Sequence, residues 1–322
     1  MKPFTGVNTM MLKLLAIAIR ASTQVYAQTA TTTTTESSTS VMTTDQAVKG
    51  NDRKDTDEEI TNAKMRASTG SKSKYSIQSA IGYSAGSIEK PFAKERPRLS
   101  AGAATELSTV VSGDISMKYR MNDHNNLNVG TGIGLTTPGF TGQRSQVSTP
   151  YVSVSNVGKM GQIQSVLSAT GSYFSTKAQR DDAKLDFNIA LEHTMILSVG
   201  KSGLDLGFDY SADNNFYQDS NTVGDIKDGP SEREDLTLAG YPFMEYAFTD
   251  KVSFRTVYRG LMFLHLRGEN FGQYRQADPT QSMGIGFAVT RDIYLYPNVQ
   301  WVWGDIRSDK TNIALSTNIN LF

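Results

Sequence analysis

The chain has 322 residues, 38% of them hydrophobic, with 32 basic and 32 acidic side chains and a formal net charge of zero. This balance gives no electrostatic footprint for nucleic acid. With no cysteine in the chain, disulfides, thiol nucleophiles, thiolate metal sites and an ordinary lipoprotein anchor are all excluded.

Near the start, Lys13 precedes the apolar run Leu14-Leu15-Ala16-Ile17-Ala18-Ile19, and Val25-Tyr26-Ala27 supplies small residues for a cleavage site before Gln28. Residues 1–27 read as a secretory signal peptide. No segment approaches the ~20 apolar residues of a membrane helix, so a membrane location requires a barrel.

Residues 28–74 are rich in Thr, Ser, Asp, Lys and Gly, include Thr31-Thr32-Thr33-Thr34-Thr35 and Asp55-Thr56-Asp57-Glu58-Glu59, and contain no aromatic. Such a segment buries too little apolar area to offset its ordering entropy. It is expected to be a flexible polar periplasmic linker. Residues 57–66 can form a short helix, and the alternative is that this helix plugs a lumen; composition favours the solvated tail.

From residue 75 the pattern alternates apolar and polar in segments mostly ~10 residues or longer, the length of a transmembrane strand. Twelve strands are predicted, at 75–84, 106–121, 126–136, 150–157, 162–175, 184–199, 204–217, 236–248, 252–267, 281–289, 293–306 and 312–322. Short turns at 122–125, 158–161, 200–203, 249–251 and 290–292 alternate strictly with longer polar loops. An up-and-down barrel with both termini on one side predicts this sorting, which a soluble sandwich does not require.

Parity across three turns is consistent: Tyr246 should oppose Phe254, Phe287 should oppose Leu295, and Leu197 should oppose Leu206, all on one apolar face. The other face carries Gly, Ser, Ala and Asn, as in Asn128-x-Gly130-x-Gly132-x-Gly134, and such residues make a poor core. Tyr119, Tyr246, Trp301 and Trp303 are placed to form interfacial aromatic girdles. The last strand is expected to close the barrel against residues 75–84.

With its signal peptide, amphipathic strands, sorted loops and terminal Phe322, the chain resembles Gram-negative outer-membrane β-barrels over residues 75–322. The resemblance implies an all-β antiparallel up-and-down transmembrane barrel in the bacterial outer membrane, with lipids and the barrel assembly machinery as partners. It identifies no particular family. Asn318 and Asn320 share the phase of Phe322, whereas such barrels commonly end with apolar residues in that phase.

The proposed lumen face gathers Glu192, Asp205, Asp209 and Asp213 on the sixth and seventh strands, Glu245 on the eighth, Arg255 and Arg259 on the ninth, and Lys118 and Arg120 on the second. Glu245 is expected opposite Arg255. An acidic wall facing basic groups creates a transverse field that orients charged or dipolar solutes. A porin-like channel for small hydrophilic solutes is therefore the expected function, against a non-conducting structural or surface-binding barrel. No cofactor or metal site is expected.

A hydrolase is the third reading, but it needs a nucleophile beside a base. The three histidines are His124 in a turn, His265 near a strand end and His193 on the lipid face, and Glu192-His193-Thr194 supplies no adjacent serine.

Overall fold

A computed structural model describes residues 60–69, 73–99, 106–226 and 229–321; residues 1–27, most of 28–74 and Phe322 lie outside them. Twelve antiparallel strands form a closed barrel. They are β1 (Tyr75–Ser87), β2 (Val110–Arg120), β3 (Asn125–Thr136), β4 (Arg144–Met160), β5 (Ile163–Tyr173) and β6 (Leu185–Ser198). The circuit continues with β7 (Leu204–Tyr217), β8 (Glu234–Ala247), β9 (Val252–Arg259, resuming after Gly260 as Leu261–Leu266), β10 (Thr280–Thr290), β11 (Ile293–Val302) and β12 (Asn312–Leu321). β12 closes the circuit on β1, Ile77 opposite Leu321 and Ser79 opposite Ile319.

The alternation sorts side chains as a membrane barrel requires. On β2, Ile115 and Met117 point outward while Ser116, Lys118 and Arg120 are buried. Leu197 and Leu206, Tyr246 and Phe254, and Phe287 and Leu295 are paired as the turn parity predicts. Outward exposure of Ile77, Val129, Val152, Leu206, Met283 and Leu321 would be costly in water and is favourable against hydrocarbon.

Several boundaries differ from the sequence reading. β4 runs from Arg144 to Met160, so Gly158 is not turn but ladder, opposite Ser165. The turn shrinks to Gly161-Gln162, where Gly161 takes φ +62°, a left-handed conformation glycine adopts without penalty. β9 breaks at Gly260 rather than running unbroken from 252 to 267. Polar loop residues extended into ladder because pairing satisfies backbone groups whatever the side chain.

The aromatic residues fall at both ends. Tyr119 packs on Tyr75 with ring centroids 5.2 Å apart and Tyr246 on Phe248 at 5.5 Å, both at the short-turn end. Trp303 meets Tyr258 edge-on at 5.9 Å at the long-loop end, and Trp301 shares the outward phase of Leu295 on β11.

Candidate functional site

The lumen is not empty. Residues 60–69 enter its short-turn end, and Ala63–Thr69 forms the helix α1. Ala, Lys, Met and Arg are good helix formers, and Asn62 caps the start: its side-chain oxygen accepts from the Met65 N–H at 3.1 Å.

The barrel wall completes both ends of this helix. Asn62 donates its amide to Asp205 at 2.8 Å and to Glu245 at 3.1 Å, while its N–H and that of Thr61 donate to Gln164 at 3.0 and 2.8 Å. At the other end the Ser68 carbonyl accepts from Gln78 at 2.8 Å and Lys118 at 3.0 Å, and the Ala67 carbonyl accepts from Asn320. Carboxylates thus stand at the helix N-terminus and an ammonium at its C-terminus, the favourable arrangement for its dipole. β7 and β8 lie nearly across the barrel from β1, β2 and β12 in strand order, so α1 lies across the lumen along the charge asymmetry of the wall.

An apolar seat lies beneath it. Ile60 and Met65 cluster with Val157, Ile196, Phe243 and Val257, and Ala67 clusters with Tyr294 and Tyr296. A Cβ on Gly207 would collide with the Phe243 ring, so that glycine makes the seat's depth. Val157, Ile196 and Val257 occupy lumen-phase positions that water would otherwise wet. Burying a side chain of this kind contributes roughly 1.5–3 kcal/mol. Those lumen-phase apolar residues are the sequence signal for a guest in the lumen, and the compositional reading of residues 28–74 as a solvated tail missed it. Within the described residues, 60–69 are packed against the wall instead.

The charged residues divide into two groups. Glu245 and Arg255 face each other as expected and form a buried ion pair at 2.8 Å; Glu245 also accepts from Ser253 at 2.6 Å and from Tyr294 at 3.2 Å. Asp205 accepts from Ser198 at 2.7 Å in addition to Asn62. Lys118 and Arg120 are buried. These groups hold the barrel's short-turn end and the helix together.

The second group lies above α1. Asp209 accepts from Thr194 at 3.2 Å and Asp213 from Ser211 at 3.0 Å. Glu192 is exposed although it points inward, because it opens onto a cavity, and it makes no hydrogen bond or ion pair among the described residues. Arg259, in the same lumen phase as Arg255, is half-buried. Lys64 projects from α1 into this cavity, also without a hydrogen bond or ion pair among the described residues. The nearby Arg255 guanidinium, with burial, holds the Lys64 ammonium down to about 8.

Two cavities flank the helix. One of ≈ 420 Å³ opens beside Asn62, Arg66, Asp205 and Glu245. The other, ≈ 460 Å³, lies against Lys64, Met65 and Ser68 and reaches Asp114, Glu192 and Asp209. No residue lines both, so α1 is the partition between them.

On the lipid face the structure supplies the serine that the run around His193 lacks. Ser165, on the neighbouring strand, lies 2.7 Å from His193 Nε2, and the Tyr210 hydroxyl lies 2.7 Å from Nδ1. The adjacent backbone is engaged in ladders with β4, β6 and β7, which leaves no N–H donor for a developing oxyanion. The array's effect is to satisfy both ring nitrogens of a histidine facing hydrocarbon, where an unpaired polar group is costly. Tyr210→Phe should therefore destabilise the refolded barrel by about 1 kcal/mol, the net worth of one such bond, read as a lower urea midpoint in lipid bilayers. His265 pairs with Asp235 at 2.6 Å, and His124 with the Val157 carbonyl at 3.0 Å. Both are structural contacts. Among the described residues no cluster of His, Asp and Glu is suited to a metal.

A closed twelve-stranded antiparallel barrel with short turns at one end, long loops at the other, an apolar outer band and a polar lumen is a transmembrane barrel of the bacterial outer-membrane class. No known family signature and no curated protein matches the sequence. Among solved structures, the COG4313 outer-membrane channel from Pseudomonas putida F1 superposes with a TM-score of 0.51 at 9% identity, covering 78% of this chain and 97% of the channel. The NanC porin gives 0.43 at 9% identity over 76% of this chain and all of that one. The KdgM porin, solved in complex with disordered oligogalacturonate, gives 0.41 at 11% identity, with 77% and 99% coverage. At these identities the likeness concerns the fold.

Proposed function

We propose that the chain is a passive outer-membrane channel for small hydrophilic solutes, exported by the segment 1–27, with a charged lumen that α1 closes at the periplasmic end. The observation that carries this reading is the lumen itself: Glu192, Asp209 and Lys64 face one polar cavity rather than being consumed in mutual pairs. A plugged lumen also supports a second reading, a non-conducting barrel that acts through its external loops, because residues 60–69 are tied to the wall at both ends.

Ion selectivity tests the charged-lumen channel. In planar bilayers, replacing Glu192 and Asp209 together by Lys should move the reversal potential in a salt gradient toward anion selectivity. Unchanged selectivity would remove the carboxylate wall from the mechanism.

The Lys64 ammonium gives a pH dependence with a definite sign. Its value falls from an ordinary 10.5 to about 8 when the helix is docked, so the undocked helix binds more protons between those values. Docking therefore strengthens as pH rises through that window, and the penalty for burying the ammonium is fully present below about 8. Open probability should fall between pH 8 and 10.5. Lys64→Met should flatten that change.

A further inference from the structure

The cavity on the long-loop side of α1 has a composition that the channel reading alone does not explain. Its lining includes three carboxylates, Asp114, Glu192 and Asp209, and three bases, Lys64, Lys118 and Arg255. Some of these charges are spoken for: Asp114 accepts from the Tyr151 hydroxyl at 2.6 Å and Arg255 pairs with Glu245, while Lys118 spends one of its three ammonium donors on the Ser68 carbonyl. Glu192 and Lys64 make no hydrogen bond or ion pair among the described residues, and they attract each other across the space they share. The amide oxygen of Asn128, another lining residue, is buried without a donor.

We infer that this ≈ 460 Å³ cavity is a binding site for a small zwitterion of amino-acid or short-peptide size, its ammonium against Glu192 and Asp209 and its carboxylate toward Lys64 and Lys118. The inference rests on the channel reading in one respect, that solutes reach the lumen from the long-loop side.

Three physical points carry it. The volume lies within the ~300–1,000 Å³ of small-molecule sites, and such sites combine a pocket with a few convergent polar groups. The acidic wall and Lys118 stand on nearly opposite sides of the lumen in strand order, so a guest gains most when its own charges are separated along that direction. The helix below already lies with its positive end at Asp205 and Glu245 and its negative end at Lys118, and a zwitterion in the cavity above would follow the same field. A purely anionic solute would meet Glu192 and Asp209, and a purely cationic one Lys64 and Arg255, so each would set one attraction against one repulsion.

Calorimetry on the full chain in detergent at pH 7 tests the inference, with alanyl-alanine, its N-acetyl derivative and its C-terminal amide as probes. Alanyl-alanine should bind, and blocking either end should weaken binding at least tenfold. Glu192→Gln should weaken alanyl-alanine at least tenfold and should strengthen the already weak N-acetyl derivative, whose lone carboxylate loses a repulsion. Equal affinities for the three probes, tighter binding of the amide than of the free dipeptide, or no heat from a barrel with intact heat-modifiable mobility would each overturn the site. Conductance of the chain lacking residues 60–69 is scored separately. Conduction without dipeptide binding removes the zwitterion site alone, and dipeptide binding without conduction removes the channel alone.

Discussion

Deleting residues 60–69 should turn a largely silent barrel into one with sustained conductance steps in planar bilayers, and this is the largest functional change expected of any alteration to the chain. The segment separates two cavities that share no lining residue, and its removal joins them. A smaller change should act in the same direction. Asn62→Ala removes the helix cap, a loss of about 1 kcal/mol. It also removes the amide bonds to Asp205 and Glu245, each worth roughly 1.5–3 kcal/mol as bonds to charged groups. Open events should become more frequent without a change in the size of the fully open step. Silence at every voltage from both variants, in barrels shown to be folded, would sink the channel and leave the non-conducting reading.

The largest effect on stability should follow from Arg255→Met. Arg255 and Glu245 have side chains only 4% and 5% exposed, so removing the guanidinium strands a buried carboxylate whose remaining partners, Ser253, Tyr294 and Asn62, are all neutral donors. Breaking a buried pair in this way costs about 3–5 kcal/mol. The guanidinium also lies 4.0 Å from the centroid of the Phe243 ring, so part of the helix seat loses its support. Adding Glu245→Gln should recover a good part of the loss by removing the stranded charge. Urea unfolding in lipid bilayers measures both variants, and equal stability of the single and double variants would show that the carboxylate is not what bears the cost.

The outer half of this protein is readable from its primary structure. Side chains on a strand alternate with a period of two, and directly opposed residues must share a face, so pairs such as Leu197 with Leu206 and Phe287 with Leu295 follow once a turn is placed. The same arithmetic put Glu245 opposite Arg255 and Leu321 outward. Boundaries were less legible: the backbone of residues 144–148 and 158–160 pairs in β4 although their side chains read as loop and turn, because ladder bonding is indifferent to side-chain polarity.

The contents of the lumen were not legible in the same way. Composition made residues 28–74 a solvated tail, yet Ile60, Asn62, Met65, Ala67 and Thr69 are buried among groups from nearly every side of the barrel, as far away in sequence as Asn320. Val157, Ile196, Phe243 and Val257 carried the one available sign, being apolar in a polar phase. The serine beside His193 was likewise hidden, since it comes from another strand at a separation of 28 residues.

The number of strands, the faces of their side chains and the charges that point inward follow from a period of two and from local turn chemistry, whereas the limits of β4 and the break of β9 at Gly260 do not. Which inward charges are spent on one another, which remain open to the cavity, and the short helix between them emerge only in the closed barrel. Those outcomes depend on contacts across the closed barrel between residues that no local spacing relates, and on the transverse charge asymmetry that comes into being when the ring of strands closes.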